Sequence, residues 1–416
     1  MQQAQKLSFF QKYLPASYLV IFVGFLIFGF SENIKGPAIP RIQSDFGATE
    51  LQVGTLLAYN SIGYLLACTF TGIVTSKLGV KISSLIAFGA MALSGVFIYI
   101  SSTYFTFSLS YFFMYVGNGM LEIVLAIFAA KIFIRNTGFM MNLSHFFYGL
   151  SSTVAPIIAA SMMKWYVFGA ELGWQGMYLI MLLLSIIPMI PTVFAKVPKN
   201  EVAIEDRISI KVFIKDPAAW MIVSILSFGV IAEMAFGGWL VNFLEKAYDW
   251  STASASTMLS VFFLCFMLAR LLLGPVTDRI GFIKSLIIFS GLAGISTLLA
   301  VFFGAPGVFL FAFAGIGVAP IYPTVMALLA KRYPNGTETA ITFTVTLMGI
   351  ALVMGNFLIG IIIDLFKQWF SQINGSEIGL IRGLQSGFIF VGLCAIICSL
   401  SGIVLYRYLH KKQEIM

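Results

Sequence analysis

Gly274-Pro-Val-Thr-Asp-Arg-Ile-Gly281 lies between two long apolar runs, and 202 residues earlier the chain reads Gly72-Ile-Val-Thr-Ser-Lys-Leu-Gly79 in the same setting. A glycine-bounded octapeptide with a basic residue at its sixth position that recurs between apolar runs implies a chain built twice over. Two further landmarks keep nearly the same shift. Phe28-Gly29 followed by Glu32 returns as Phe228-Gly229 followed by Glu233. Gly117-Asn-Gly119 with Ala130-Lys131 returns as Gly315-Ile-Gly317 with Ala330-Lys331. Duplicated sets of apolar segments around a midplane site are the architecture of secondary transporters.

Of 416 residues, 59% are hydrophobic and only 10% charged, against the roughly 25% charged of a soluble domain. The apolar runs are long and do not alternate, which selects helices over a β-barrel. About 20 residues rising 1.5 Å each cross the hydrocarbon of a bilayer. Breaks at polar and Gly/Pro clusters leave twelve spans, roughly 17–39, 51–75, 80–101, 105–131, 138–163, 174–195, 218–244, 252–275, 281–303, 307–330, 338–365 and 383–408. The expected fold is an all-α membrane protein with twelve transmembrane helices in two pseudo-symmetric six-helix halves, 1–195 and 218–416. Between them, 196–217 reads as a cytoplasmic linker carrying Glu201, Glu205, Asp206, Arg207, Lys211 and Lys215.

The net charge of +8 follows from topology. Eighteen of the 25 Lys and Arg fall on the side of the N-terminus, six on the other, and Arg270 lies within a span. That bias places both termini in the cytoplasm of a multi-pass protein, expected in a bacterial plasma (inner) membrane. It argues against a nucleic-acid footprint. Cys68, Cys265, Cys394 and Cys398 all sit in apolar runs as small core residues. His145 and His410 are the only histidines, too few for a Cys/His metal cluster. No metal or organic cofactor is expected. No nucleophile–base pair or P-loop spacing stands out, so the chain does not read as an enzyme.

Glu122 is centred in the apolar run from Phe112 to Phe133, and Glu32 and Glu233 lie at similar depth in theirs. A carboxylate at that depth is costly and marks a functional site by default. Glu32 has Lys35 one turn away, spaced for an ion pair. It reads either as a proton-coupling acid or as half of a structural pair beside Gly36-Pro37. Glu122 has no basic residue within two turns of its own helix. Glu233 reads as a substrate or proton ligand or as a satisfied interhelical acid. A carboxyl whose hydration changes with conformation changes its hold on a proton, and an uncharged solute accumulates only with a coupled ion. That ion is H+ here, with Na+ as the open alternative. Recognition of hydroxyls calls for amide, carboxylate or imidazole groups, and a sugar ring's C–H face calls for aromatics. Asn33, Asn60, Glu122, Asn142, His145, Glu233, Trp239, Asn242, Tyr322 and Asn356 are the candidates. Small residues such as Gly117, Gly119, Gly315 and Gly317 allow close helix contact, and Pro156, Pro320 and Pro323 are expected to kink spans five and ten.

Gly274, Asp278, Arg279 and Gly281 fit a Gly-x-x-x-Asp-Arg-x-Gly loop between the second and third helices of a six-helix half. On this ground the chain resembles the major facilitator superfamily over essentially its whole length. The first copy keeps Gly72, Gly79 and Lys81 but has Ser76 in the acid's place. The resemblance implies that both loops clamp a cytoplasmic gate, with Asp278 in the better ionic latch. A finer likeness lies in Gly117-Asn-Gly-Met-Leu-Glu122, Asn142-Leu-Ser-His145-Phe146, Glu32-Asn33 and Ile321-Tyr-Pro-Thr324. These resemble the fucose–galactose–glucose/proton symporter group. The likeness implies proton coupling at Glu32 and a Glu122 that links proton binding to sugar. His145 stands where that group carries Gln, which leaves the sugar open. The leading expectation is proton-coupled uptake of a monosaccharide or similar small polar solute by alternating access. Its partners are a small-molecule substrate and the lipid bilayer, and the family implies a monomer. The alternative is an exporter of drugs, lipids or glycolipids on the same fold. Span five retains only Ala155-Pro156 of the glycine-rich drug-antiporter motif, while the 41 phenylalanines favour apolar cargo.

Overall fold

The computed structural model describes residues 2–132, 137–167, 169–195, 210–333 and 337–412. Among the described residues, 12 helical stretches are long and apolar enough to cross a membrane. The chain forms two compact units, Met1–Ile42 with Tyr59–Val202, and Gln43–Ala58 with Ala203–Met416. Residues 43–58, which lie in the first half of the sequence, pack with the second unit.

The first unit is built on α1 (Gln2–Asn33), α2 (Lys35–Phe46), α3 (Glu50–Tyr99), α4 (Tyr104–Ile132), α5 (Thr137–Met162), α6 (Gly173–Leu183) and α7 (Ile186–Phe194). A short hairpin, β1 (Tyr166–Val167) with β2 (Ala170–Glu171), links α5 to α6. The second unit holds α8 (Ile210–Lys215), α9 (Pro217–Tyr248), α10 (Thr252–Leu272), α11 (Gly274–Ile280), α12 (Phe282–Phe303), α13 (Leu310–Val318), α14 (Ile321–Arg332), α15 (Thr337–Asn374) and α16 (Ser376–Lys411). The end of α2 and the start of α3 belong to it by packing. Its core is aromatic: the Phe236 ring stacks 4.4 Å from Phe262, Phe243 stacks 4.4 Å from Phe388, and Phe311 meets Phe236 at 5.6 Å.

Several helices outrun the spans read from hydropathy. The first membrane helix covers Pro15–Phe46 instead of 17–39, the eleventh Thr339–Asn374 instead of 338–365, and the twelfth Ser376–Lys411 instead of 383–408. Hydropathy marks the hydrocarbon slab, whereas a helix continues through polar ends that lie at the interface. The proline expectations divide. The helix breaks between α13 and α14 at Pro320, but α5 continues through Pro156 as one helix.

The repeated octapeptide is a conformational repeat as well. Gly79 has φ 81° and ψ 158° inside α3, and Gly281 has φ 90° and ψ 147° between α11 and α12. This region is open to glycine alone at no steric cost. Both loops therefore turn the chain from one span into the next by the same backbone device.

The linker meets the second unit through Asp216, the N-cap of α9. Its carboxylate accepts from the Ala218 amide at 2.9 Å, from the Tyr333 hydroxyl at 2.5 Å and from Arg332 Nη2 at 3.4 Å. Pro217 at the first helical position and the buried Phe213, 5.0 Å from the Tyr333 ring, complete the joint. Burial pushes the Asp216 carboxyl up, but the Tyr333 hydroxyl, the Ala218 amide and Arg332 together outweigh it and hold the group below the usual carboxylate range. Burial and the hydrogen bond to Asp216 hold the Tyr333 phenol well above its ordinary value.

Two outcomes follow for stability. A Cβ at Gly317 would lie 2.5 Å from the Phe289 carbonyl oxygen and 2.6 Å from the Ala293 amide nitrogen, backbone atoms that cannot swing aside, whereas Gly274 has open space around it. Gly317→Ala is expected to cost about 1–3 kcal/mol, and Gly274→Ala less than about 0.5 kcal/mol, compared by thermal unfolding in detergent. Because the Asp216 carboxyl sits lower in the folded chain than in the unfolded one, its stabilisation is complete above the ordinary carboxylate range. It is lost as pH falls through the depressed native value. Asp216→Asn is expected to lose roughly 0.5–1 kcal/mol at neutral pH and to flatten the decline in thermal stability below pH about 4.

Candidate functional site

In the first unit, the break between α1 and α2 places Glu32 and Lys35 on either side of Ile34 with side chains on one face. Lys35 Nζ forms an ion pair with Glu32 Oε1, so the structural pairing suggested by their spacing is present. The second carboxylate oxygen, Oε2, accepts from Asn118 Nδ2 at 2.9 Å, and Asn118 Oδ1 in turn accepts from the Ser31 hydroxyl at 2.8 Å. Lys35 also donates to the Tyr115 hydroxyl at 3.2 Å. Tyr115 packs edge-on against Tyr111 at 5.2 Å, and the Tyr178 hydroxyl donates to that of Tyr111 at 3.4 Å. A buried pair persists when further hydrogen bonds occupy its remaining lone pairs and protons. This pair is so supplied from α1 and α4.

Glu122 lies four residues beyond Asn118 on α4, on the same helix face. The Tyr64 hydroxyl of α3 is its hydrogen-bonding neighbour, and it lies close enough to Glu32 for the two carboxyls to interact electrostatically. Among the described residues, no Lys or Arg forms an ion pair with Glu122. Asn33 faces elsewhere: its amide donates to the Gly29 carbonyl at 2.9 Å and to the Ser152 hydroxyl at 2.8 Å, which ties α1 to α5. Asn60 is buried with the Tyr111 hydroxyl as a polar neighbour. His145 is exposed, its ring 5.2 Å from Phe25. The Asn142 side chain lies outside the described residues.

In the second unit Glu233 is buried on α9 and pairs with Arg270 Nη2 of α10 at 3.4 Å. Arg270 Nε donates to the Ala319 carbonyl at 3.1 Å, and the guanidinium lies 4.1 Å over the Phe266 ring. The carbonyl of Ala319 needs this donor because the residue four positions on is Pro323, which has no N–H. Trp239 and Asn242 follow Glu233 on α9. Both are buried, and Trp239 Nε1 and Asn242 Oδ1 have no hydrogen-bond partner among the described residues. Asn356 Nδ2 donates to the Leu57 carbonyl at 3.4 Å, and Tyr322 is half-buried in the first turn of α14.

A further charged cluster in this unit was not legible as a site. Glu50, almost wholly buried, pairs with Lys246 at 2.9 Å and accepts from Gln43 Nε2 at 2.8 Å and Asn242 Nδ2 at 3.1 Å. Asp364 Oδ2 accepts from the Leu51 amide at 2.9 Å, capping the start of α3. The local Thr49-x-x-Gln52 capping box was the available signal. The lone Arg270 inside a span was the signal for the Glu233 pair.

Of the residues expected at a cytoplasmic gate, Gly72, Gly274, Asp278 and Arg279 are exposed. Lys81 Nζ donates to the Val193 carbonyl, joining the first loop to α7. Beside Gly281 the tie within the second loop is a 2.8 Å hydrogen bond between the Thr277 and Ser285 hydroxyls.

Comparison with known proteins places this arrangement. No curated protein matches the chain by sequence. Among solved structures, a bacterial homologue of the human lysosomal transporter Spinster superposes with TM-score 0.78 at 11% identity, covering 97% of this chain and 98% of that one. The D-xylose–proton symporter superposes with TM-score 0.77 at 14% identity, over 95% and 98% of the two chains. The E. coli fucose:proton symporter FucP gives 0.63 at 16% identity, over 94% and 99%. The Major Facilitator Superfamily model matches residues 21–244 and again 231–414. With that model matched across both halves of a chain of twelve membrane-length helices, the protein is a multi-pass member of the Major Facilitator Superfamily of transporters.

Proposed function

We propose that this transporter takes up a monosaccharide or similar small polar solute, driven by protons, by alternating access. The observation that carries this reading is the charge balance of the first unit. Lys35 neutralises Glu32, and Glu122 is left as a carboxyl with no cationic partner among the described residues. A carboxyl so placed is the group able to bind and release a proton as its surroundings dry and rehydrate, and the Asn118 side chain links its helix to the Glu32–Lys35 pair. Trp239 and Asn242 support a hydroxylated cargo, since each offers a buried polar atom with no partner among the described residues. The fold is shared with a xylose–proton symporter, a fucose:proton symporter and the nucleoside transporter NupG, which also favours a small polar substrate.

The test is uptake into proteoliposomes under an inward proton gradient, across labelled hexoses, deoxyhexoses and polyols. One pH unit supplies about 1.4 kcal/mol per proton, so one coupled proton sustains roughly a tenfold gradient of solute. Glu122→Gln is expected to lose that factor and reach only equilibration, and full accumulation by this variant would remove Glu122 from coupling. Glu32→Gln alone strands Lys35 as a buried cation and is expected to cost about 3–5 kcal/mol of stability. Glu32→Gln combined with Lys35→Met restores folding but exchanges solute without proton-driven accumulation. Accumulation by the folded double variant would show that Glu32 is structural.

A further inference from the structure

A groove of about 620 Å³ runs along the surface of the second unit, away from every residue assigned above to coupling or substrate. Its walls are two helix faces in register. Pro217, Trp220, Met221 and Ser224 form an i, i+3, i+4, i+7 stripe on α9, and Ile397, Leu400, Ser401 and Val404 form the same stripe on α16. At the floor the Ser224 and Ser401 hydroxyls bond to each other at 2.9 Å. They need no further partner, and apart from Lys215 the rest of the lining is apolar. From Pro217 to Ser224 the groove is about 10 Å long at 1.5 Å per residue.

One end of the groove is basic. The short helix α8 closes it with Ile214 and Lys215, held in place by the Trp220 indole N–H, which donates to the Ile214 carbonyl at 2.9 Å. On α16, Arg407 and Lys411 follow Val404 by three and seven residues, continuing the groove-lining face beyond the apolar part, and both are exposed. Lys211 lies one turn before Lys215 on α8 and is exposed too. Val212 and Ile214 are each about half exposed on the same helix while Phe213 is buried, so α8 is anchored by Phe213 and presents apolar side chains outward. Trp220, 46% exposed beside it, has the amphipathic character of a residue at the headgroup level.

An apolar channel on a membrane-facing surface, ending in several basic side chains beside an interfacial tryptophan, matches one kind of molecule in shape and charge. The geometry points to a binding site for an anionic phospholipid, with one acyl chain between α9 and α16 and the phosphate at Lys215, Arg407 and Lys411. The bias of Lys and Arg assigns this end of the helices to the cytoplasmic leaflet.

The probe is lipid brominated on the acyl chain, which quenches nearby tryptophan fluorescence, incorporated with the full-length protein into nanodiscs. The Trp220 signal is isolated as the difference between the wild type and Trp220→Phe. Brominated phosphatidylglycerol is expected to quench it at a mole fraction about fivefold lower than brominated phosphatidylcholine, the factor that one basic residue contributes near an anionic lipid. Replacing Lys215, Arg407 and Lys411 with Gln is expected to abolish that preference while leaving quenching by phosphatidylcholine. Ser224→Phe or Ser401→Leu, which fill the floor, should reduce quenching by both lipids. Equal quenching of the wild type by both lipids would reduce the groove to ordinary annular contact. A preference that survives the triple substitution would overturn the headgroup assignment, and absence of quenching by any lipid would overturn the site.

Discussion

A charged side chain within a membrane span needs an opposite charge or a set of hydrogen bonds, because the hydrocarbon offers neither. In this protein that requirement organises the polar interior of both units. Glu32 is matched by Lys35, Glu233 by Arg270 and Glu50 by Lys246. Each pair is completed by further hydrogen bonds, from Asn118 to Glu32, from Gln43 and Asn242 to Glu50, and from Arg270 to the Ala319 carbonyl. A bare pair would lose more by desolvation than it gains by attraction. The extra hydrogen bonds come from neighbouring helices, so the pairs also fix which helix faces meet. Among the described residues Glu122 stands outside this pattern, and that is the reason we propose it as the proton site.

The helix breaks obey the same accounting of backbone groups. Pro323 cannot donate to Ala319, and the orphaned carbonyl is taken by an arginine already committed to Glu233. The discontinuity between α13 and α14 is thereby coupled to the ion pair between α9 and α10. At Gly79 and Gly281 the chain turns because glycine adopts the required φ at no steric cost, and the following span starts afresh. A break inside a bundle needs a side chain from a neighbour, whereas a break at the interface has water for its polar groups. The two kinds of interruption accordingly carry different chemistry around them.

How far the sequence discloses this structure depends on whether a feature is local. The Glu32–Lys35 pair, the glycine turns, the break at Pro320 and the twelve apolar helices all follow from spacings within one segment, and all are legible. Arg270 could be recognised as anomalous in a span, but its partner Glu233 lies on another helix 37 residues away. Pairing them requires the rotational phase of both helices. The same reason explains Asn33, which looks like a ligand for hydroxyls in sequence and is found joining α1 to Ser152 of α5. It also explains residues 43–58, which continue the first half of the chain but take their partners from Lys246 and Asp364. Hydropathy locates a helix in depth and leaves its rotation and neighbours undetermined.

The two related acids, Glu32 and Glu233, lie at corresponding places in the repeat, one residue out of register, and are held in different ways. Glu32 finds its cation three residues along its own chain, and the helices around it have other ties: Asn33 to Ser152 between α1 and α5, and Ser31 to Asn118 between α1 and α4. Removing both charges of that pair together takes away one interaction among several, whereas removing Glu32 alone strands Lys35. Glu233 finds its cation on a second helix, and that same arginine satisfies a carbonyl on a third. Changing the charge of Glu233 would disturb the joint among α9, α10 and α13 together. An acid that gains and loses a proton in every cycle is better placed outside such a joint, which agrees with the proposal of Glu122, in the first unit, as the coupling group. The second-unit acid, bound into three helices, suits a scaffold that holds Trp239 and Asn242 in place.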